Sequence, residues 1–263
     1  MKGIILAILV VGATGCLIGF FLTYAAKKFY VHVDEKEANI LGVLPGNNCG
    51  GCGYAGCSAL AKAIAEGNAP ISQCPVGGAP VAEKIAGIMG VEAGEAKRMV
   101  AYVHCAGTCD KAKNKYEYTG SDDCMAVKMA PGGGPKACNF GCLGHGSCVS
   151  ACEFDAIHIV DGVALVNKDT CKACGKCIDT CPQNIISLIP YESKYEVSCS
   201  SHDKGKDVMS VCDTGCIACH LCEKNCPEEA IKVIDNVAVI DQDKCSGCGT
   251  CQAKCPKKII FAI

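Results

Sequence analysis

The spacing of the cysteines constrains this chain more than any other feature of its sequence. Two runs of the form C-x2-C-x2-C-x3-C, each followed by proline, lie near the C-terminus at residues 216–227 and 245–256. In all, 26 of the 263 residues are cysteine, whereas only 5% are aromatic and tryptophan is absent. A hydrophobic core with so few large side chains is thin for this length. Groups bound by the cysteines are therefore expected to organise much of the fold.

Cysteine density alone fits either a disulfide framework or metal ligation. Most of these cysteines have only two or three residues between neighbours, too few to join distant loops. Runs of this form hold the two clusters of bacterial 4Fe-4S ferredoxins, in which the fourth cysteine binds the other cluster. A structural zinc site uses two C-x2-C pairs and leaves the third cysteine without a role. We therefore predict 4Fe-4S clusters.

An internal repeat extends this interpretation to the middle of the chain. When the sequence is shifted by 74 residues, the cysteines upstream fall on those of the C-terminal runs. The coinciding cysteines are Cys142, Cys148, Cys152, Cys171, Cys174, Cys177 and Cys181. Short β-rich segments flank Asp161-Gly162, a hairpin signal. The repeat predicts two ferredoxin-like units, at 136–190 and 191–263.

In each regular ligand set, three closely spaced cysteines are completed by the fourth cysteine of the other run. The predicted sets are Cys216, Cys219, Cys222 with Cys255; Cys245, Cys248, Cys251 with Cys226; and Cys171, Cys174, Cys177 with Cys152. The remaining site of the first unit is irregular, because His145 stands where the second unit has Cys219. We predict that Cys138 supplies the missing thiolate, in a set of Cys138, Cys142, Cys148 and Cys181. Ligation by His145 is the alternative.

Two further regions precede the repeat. Cys49, Cys52, Cys57 and Cys74, around an alanine-rich helical segment, predict one four-cysteine site in a small helical domain at 29–80. Residues 81–103 place apolar side chains at helical spacing, within a helical, cysteine-containing linker at 81–135. Three glycines between Pro131 and Pro135 predict a boundary there.

Five cysteines remain outside these sets. They are Cys105, Cys109, Cys124, Cys199 and Cys212. The 74-residue shift places Cys212 on Cys138 and Cys199 within one residue of Cys124, which favours a sixth cluster beyond the five. We predict Cys105, Cys124, Cys199 and Cys212 as its ligands, with Cys109 as the substitute. The alternative is that several are free thiols or a redox pair.

The N-terminus predicts a membrane anchor. Residues 3–26 form an uncharged segment that is long enough to span a bilayer. A cleaved signal peptide is the alternative. Lys27 and Lys28 follow the span directly and place the rest of the chain on the cytoplasmic side of the cell membrane. The predicted fold class is thus α+β: a single-pass transmembrane helix at 1–28, the four-cysteine domain and two ferredoxin-like units.

Taken together, these features resemble the B subunits of Rnf complexes, in the longer form found in anaerobes. The resemblance rests on the anchor, the C-G-G-C-G-Y-A-G-C sequence at 49–57, C-P-V-G-G from Cys74, and the ferredoxin units. The four-cysteine element by itself is also similar to one in corrinoid iron-sulfur proteins. The resemblance implies an electron-transfer subunit of an ion-pumping ferredoxin:NAD+ oxidoreductase. It would accept electrons from soluble ferredoxin and pass them to partner subunits in the membrane. His145 departs from the regular pattern.

Other functions fit less well. A net charge of −2 excludes nucleic-acid binding driven by phosphate neutralisation. The glycines around Cys49 and Cys52 follow no predicted strand and form no dinucleotide fingerprint, so we expect no catalytic site for NAD in this chain. Two alternatives stay open: a membrane-tethered polyferredoxin serving varied enzymes, and a cluster-based redox sensor, for which no output domain is visible.

Overall fold

The computed structural model describes residues 2–29, 34–94 and 97–263. Its first element is helix α1 (Lys2–Lys28). The hydroxyl of Thr23 donates to the carbonyl of Gly19 at 2.7 Å, so this polar side chain is satisfied within the helix. Within the described residues, no helix combines the length and apolar character that crossing a membrane requires.

Three short helices form the domain that follows: α2 (Glu35–Val43), α3 (Cys57–Ala65) and α4 (Gly78–Met89). Their buried faces meet at Ile40, Leu60, Ile64 and Ile85, each no more than 1% exposed. Asn48 accepts a hydrogen bond from the backbone of Cys57 at 2.8 Å and so satisfies one of the free N–H groups at the start of α3. The domain is small and helical, and α4 extends it to Met89, beyond the predicted bounds of 29–80.

The helix predicted over 81–103 is wrong in its second half. Helix α4 ends at Met89, because Gly90 adopts a left-handed conformation (φ 69°) that caps it. Met99–Val103 instead forms strand β1, which pairs antiparallel with β4 (Ile186–Pro190). Val100 and Val103, β-branched and buried, suit this pairing. Strand β1 therefore joins the first ferredoxin-like unit across the predicted boundary at 131–135. Helix α5 (Cys124–Met129) and a short 3-10 turn (Pro131–Gly133) lie between.

The two ferredoxin-like units repeat one set of elements 74 residues apart. The first contains α6 (Ser147–Ser150), the hairpin β2 (Ile157–Val160) and β3 (Val163–Val166), α7 (Lys176–Thr180) and β4. The second contains β5 (Tyr195–Val197), α8 (Gly205–Val211), α9 (Leu221–Lys224), the hairpin β6 (Ile231–Ile234) and β7 (Val237–Ile240), α10 (Thr250–Lys254) and β8 (Ile260–Ala262). The hairpins, the helices that flank them and the final strands correspond, whereas the segments before α6 and α9, including α8, differ.

The first strands of the two units, β1 and β5, are related by a second spacing. Val103 of β1 pairs with Ile186, and Val197 of β5 pairs with Ile260. Ile186 and Ile260 are equivalent by the 74-residue repeat, so Val103 and Val197 are equivalent although they lie 94 residues apart. The first unit therefore contains twenty more residues than the second after its first strand. Helix α5 belongs to this longer segment.

Candidate metal centres

The cysteines of the repeat units surround cavities. Four cavities are each lined by four cysteines. This shared lining indicates similar occupants. Among the described residues, no three His, Cys, Asp or Glu side chains converge closely enough to hold a single metal ion.

In the second unit, the structure brings together the sets that spacing predicts. Cys216, Cys219, Cys222 and Cys255 line one cavity, here named the Cys255 site. Cys226, Cys245, Cys248 and Cys251 line the other, the Cys226 site. Burial, with the neighbouring thiolates, raises the pKa of Cys222 to about 11. Without iron this thiol is therefore neutral at physiological pH, and metal binding must displace its proton.

The regular set of the first unit, named the Cys152 site, consists of Cys152, Cys171, Cys174 and Cys177. Burial, together with the three neighbouring thiolates, raises the pKa of Cys177 to about 11, which places all four sulfurs in one neighbourhood. The backbone N–H groups of Ala101 and Ala173 each donate to the sulfur of Cys171 at 3.5 Å.

The N-terminal site consists of Cys49, Cys52, Cys57 and Cys74. Cys74 is buried, which raises its pKa, and the sulfurs of Cys52 and Cys57 lie near enough to raise it further. Cys49 lies near Cys174 of the Cys152 site. Gly51 explains this proximity, since a Cβ atom there would lie 2.4 Å from the carbonyl oxygen of Cys174. The glycine allows the backbones of the two sites to approach.

The irregular site differs from its predicted set. Cys142, Cys148 and Cys181 line one cavity with Cys124, and Cys138 is not among the lining residues. We name this cavity the Cys124 site. Burial raises the pKa of Cys148 to about 12, with contributions from Cys142, Cys124 and Cys181. The physical reason for the difference is α5, whose first residue is Cys124.

Helix α5 is held against the Cys124 site by a short hydrogen-bond relay. The backbone N–H of Cys124 donates to the hydroxyl of Ser147 at 2.7 Å. That hydroxyl donates to Asp123 at 2.7 Å, and Asp123 accepts from the N–H of Ala126, which caps the helix. These hydrogen bonds join the longer segment of the first unit to α6, which starts at Ser147.

His145 is turned toward other partners. Its Nδ1 atom lies 3.2 Å from the carboxylate of Asp122, and its ring packs edge-on against Tyr118. It is not among the residues that line the cavity. The loop nevertheless keeps the conformation of the second unit: residues 144 and 146 have φ of 79° and 77°, and their equivalents 218 and 220 have 51° and 57°. The loop therefore keeps its backbone conformation although His145 stands where the second unit has the ligand Cys219.

The fourth cavity lies between the two units and is named the bridging site. It is lined by Cys105, Cys138, Cys199 and Cys212, so Cys138 takes the place predicted for Cys124. The strand register explains the difference, because it makes Cys105 equivalent to Cys199, which the 74-residue shift had set beside Cys124. Cys138 and Cys212 are equivalent by the 74-residue repeat. The site thus combines one pair of cysteines from each unit.

The bridging site is also tied to a neighbour on each side. The N–H of Cys142 donates to the sulfur of Cys105 at 3.3 Å. In the equivalent contact, the N–H of Cys216 donates to the sulfur of Cys199 at 3.3 Å. Cys142 belongs to the Cys124 site and Cys216 to the Cys255 site, so the bridging site adjoins one site of each unit.

Cys109 and Cys16 lie outside these sites. Cys109 is exposed, and its N–H donates to the carbonyl of Asp161 in the turn between β2 and β3. Cys16 is exposed on α1. Cys109, the predicted substitute for the sixth set, does not line any of the four cavities.

The donor sets fit 4Fe-4S clusters. Each set supplies four sulfurs, and backbone N–H groups point at several of them, as for Cys105, which accepts from Gly107 at 3.4 Å and from Cys142. Such hydrogen bonds to ligand sulfurs are one of the means by which proteins set cluster potentials. When bound, the clusters supply one-electron chemistry.

Comparisons with known proteins agree with this chemistry. The FeS family model, which describes an Fe-S cluster element, matches residues 44–76. The Fer4_7 model, 4Fe-4S dicluster domain, matches residues 170–230 and 215–259. These matches include the N-terminal site and all ligands of the second unit.

Three similar proteins cover almost the whole chain. The B subunit of the Na(+)-translocating ferredoxin:NAD(+) oxidoreductase complex of Acetobacterium woodii is 46% identical over 93% of this chain and 74% of its own length. The B subunit of an ion-translocating oxidoreductase complex of Methanosarcina acetivorans is 43% identical over 91% of each. The B subunit of the proton-translocating ferredoxin:NAD(+) oxidoreductase complex of Clostridium ljungdahlii is 42% identical over 94% and 87%. The chain belongs to the family of B subunits of ion-translocating ferredoxin:NAD+ oxidoreductase complexes.

Proposed function

We propose that this chain carries electrons from reduced ferredoxin, through six 4Fe-4S clusters in one continuous series, to partner subunits in the membrane. The observation that carries the proposal is that every four-cysteine site adjoins the next. The order is the Cys226 site, the Cys255 site, the bridging site, the Cys124 site, the Cys152 site and the N-terminal site.

The links in this order rest on a shared core, on hydrogen bonds to ligand sulfurs and on cysteines that lie near one another. The two sites of the second unit share one hydrophobic core. The bridging site follows through the N–H groups of Cys216 and Cys142. Cys148 of the Cys124 site lies near Cys177 of the Cys152 site. Cys174 then lies near Cys49. A break at any one link would divide the series.

Electrons are proposed to enter at the second unit. Cys248 and Cys219 are exposed there, so a soluble donor can approach the sulfurs of both sites. The opposite end of the series, the N-terminal site, lies closest in sequence to α1. Electrons would therefore leave for membrane partners at that end, and the NAD+ chemistry would belong to another subunit.

The uncharged segment at 3–26 is proposed to anchor the chain once in the cell membrane. Phe20 and Phe21 are about three-quarters and two-thirds exposed on α1, as lipid-facing side chains would be. Lys27 and Lys28 place the cluster-binding part on the cytoplasmic side, where ferredoxin can reach it.

The experiment uses the full chain, purified without oxygen in mild detergent. We expect about 24 iron atoms per chain, four for each cluster. Reduced ferredoxin should reduce the protein, but the isolated chain should not reduce NAD+. In membranes, deletion of residues 1–26 should abolish ferredoxin-dependent NAD+ reduction. Full coupled activity without the anchor would contradict the proposal and favour a soluble polyferredoxin. Electron transfer from the anchored chain to enzymes unrelated to the membrane complex would favour a membrane-tethered polyferredoxin.

A further inference from the structure

Lys136 is a buried cation between two of the cysteine-lined cavities. Its side chain lines the bridging site and is only 8% exposed. The ammonium donates two hydrogen bonds of 2.8 Å, to the carbonyl oxygens of Gly107 and Cys142. Cys142 belongs to the Cys124 site, so the charge lies at the boundary between that cavity and the bridging site.

The described part of the chain supplies no carboxylate to balance this charge. Across residues 2–29, 34–94 and 97–263, no carboxylate lies within ion-pair distance of Lys136. An unpaired buried ammonium is strongly unfavourable, and proteins bury charges together with a counter-charge. Carbonyl oxygens supply dipoles but no net negative charge. A group bound by four thiolates does carry net negative charge, and the two adjoining cavities are each lined by four cysteines.

The second unit lacks this charge. The position 74 residues after Lys136 is Ser210, which is exposed and donates to the carbonyl of Asp207. The bridging site is otherwise built from equivalent pairs, Cys105 with Cys199 and Cys138 with Cys212. Lys136 is therefore an electrostatic asymmetry in an otherwise symmetric site, and it lies on the side of the first unit.

We infer that Lys136 is the internal counter-charge for the clusters of the bridging site and the Cys124 site, and that it raises the reduction potentials of both. The inference rests on the proposed function, because it requires a cluster in the bridging site. A fixed positive charge favours the reduced state, which carries one more negative charge, and its effect is large in a poorly solvated interior. Electrons arriving from ferredoxin through the second unit would thereby be drawn toward the first unit. Lys136 would act on the two clusters through its charge and not as a ligand.

The test compares Lys136→Met, Lys136→Gln and Lys136→Arg in the anaerobically loaded full chain. Lys115 supplies the matched control: it is an exposed lysine that donates to the carbonyl of Gly132 at 2.7 Å, and Lys115→Met removes a surface charge of the same type. Each variant is titrated electrochemically while the reduced clusters are followed by electron paramagnetic resonance, and its iron content is measured.

We expect the two neutral variants to lower the potentials of two clusters. The ratio of reduced to oxidised cluster at a fixed potential should fall about tenfold, which corresponds to about 59 mV for a one-electron couple. Lys136→Arg and Lys115→Met should leave every potential unchanged. If both neutral variants instead fail to retain iron while Lys136→Arg is fully loaded, the counter-charge role is supported directly.

Two results would overturn the inference. Fully loaded neutral variants with unchanged potentials would exclude an electrostatic role. Loss of iron in Lys136→Arg as well as in the neutral variants would show that the shape of the lysine side chain, rather than its charge, is required. A failure of the proposed function looks different, because the unmodified chain would then contain about 20 iron atoms and no cluster at the bridging site.

Discussion

The two ferredoxin-like units share their elements but not the source of their ligands. In the second unit, both sites draw all four cysteines from the two regular runs. In the first, His145 has replaced one of these cysteines, and Cys124 from the longer segment lines the cavity in its place. The comparison indicates that a cluster site can keep its fold and its number of thiols while one ligand moves to a distant segment. It also indicates that the bridging site depends on both units equally.

The largest effect is expected from breaking the bridging site, where the two units meet. Cys105→Ser and its equivalent Cys199→Ser should each remove one cluster and lower the iron content by about four atoms. Ferredoxin should then reduce the second unit only, and ferredoxin-dependent NAD+ reduction in membranes should be lost.

Cys109→Ser is the control for this pair, because Cys109 is exposed and lines none of the cavities. It should keep its iron and its activity. Rapid reduction of the first unit in Cys105→Ser, measured by stopped-flow absorbance, would mean that electrons bypass the bridging site.

The exchanged ligand gives the next test. Cys124→Ser should remove the cluster of the Cys124 site, just as Cys219→Ser removes the cluster of the Cys255 site in the second unit. The remaining clusters of each unit should persist, because their ligands are separate. Electron paramagnetic resonance of the reduced clusters, compared between the two variants, shows which clusters remain. If Cys138→Ser rather than Cys124→Ser removed the cluster bound by Cys142 and Cys148, the ligand set predicted from spacing would be correct.

A rescue variant makes the comparison sharper. The loop around His145 keeps the conformation found around Cys219, so a cysteine at 145 should occupy the regular ligand position. We expect His145→Cys to restore iron to Cys124→Ser, and His145→Ala in the unmodified chain to leave the iron content unchanged. Loss of the cluster in His145→Ala would instead identify the imidazole as a ligand.

A smaller effect is expected where the N-terminal domain contacts the first unit. Gly51→Ala places a methyl group 2.4 Å from the carbonyl of Cys174, so the two backbones must separate. Overpacking of this kind costs about 1–3 kcal/mol. Thermal unfolding should show the loss of stability, and reduction of the N-terminal site should become slower. Gly42→Ala is the control, since a methyl group on α2 meets nothing within 4 Å; equal effects would exclude the proposed contact.

Much of the regular part of both units can be predicted from the sequence, because local spacing determines it. The runs at 216–227 and 245–256 predict their cavities, and Asp161-Gly162 predicts the hairpin of β2 and β3. The roles of Cys124 and Cys138 could not be predicted in the same way. Both are single cysteines without a run, and Cys138 lies closer in sequence to Cys142 than Cys124 does. The pairing of β1 with β4, between residues 83 to 91 apart, is needed together with that of β5 with β8 to align Cys105 with Cys199.

The Lys136 counter-charge was also hidden from the sequence. A lysine two residues before a cysteine is ordinarily a solvated side chain. Its meaning comes from burial and from the carbonyl of Cys142, which belongs to a different site. A signal was nevertheless present, because the 74-residue repeat aligns this lysine with an uncharged serine, Ser210.

In the proposed series, a cluster bound by both units joins the two units. An anomalous difference map, recorded at the iron absorption edge from crystals of the anaerobically loaded chain, tests this most directly. We expect six separate iron peaks, with one enclosed by Cys105, Cys138, Cys199 and Cys212 and another beside Cys124. Five peaks with none between the two units would contradict the proposed series.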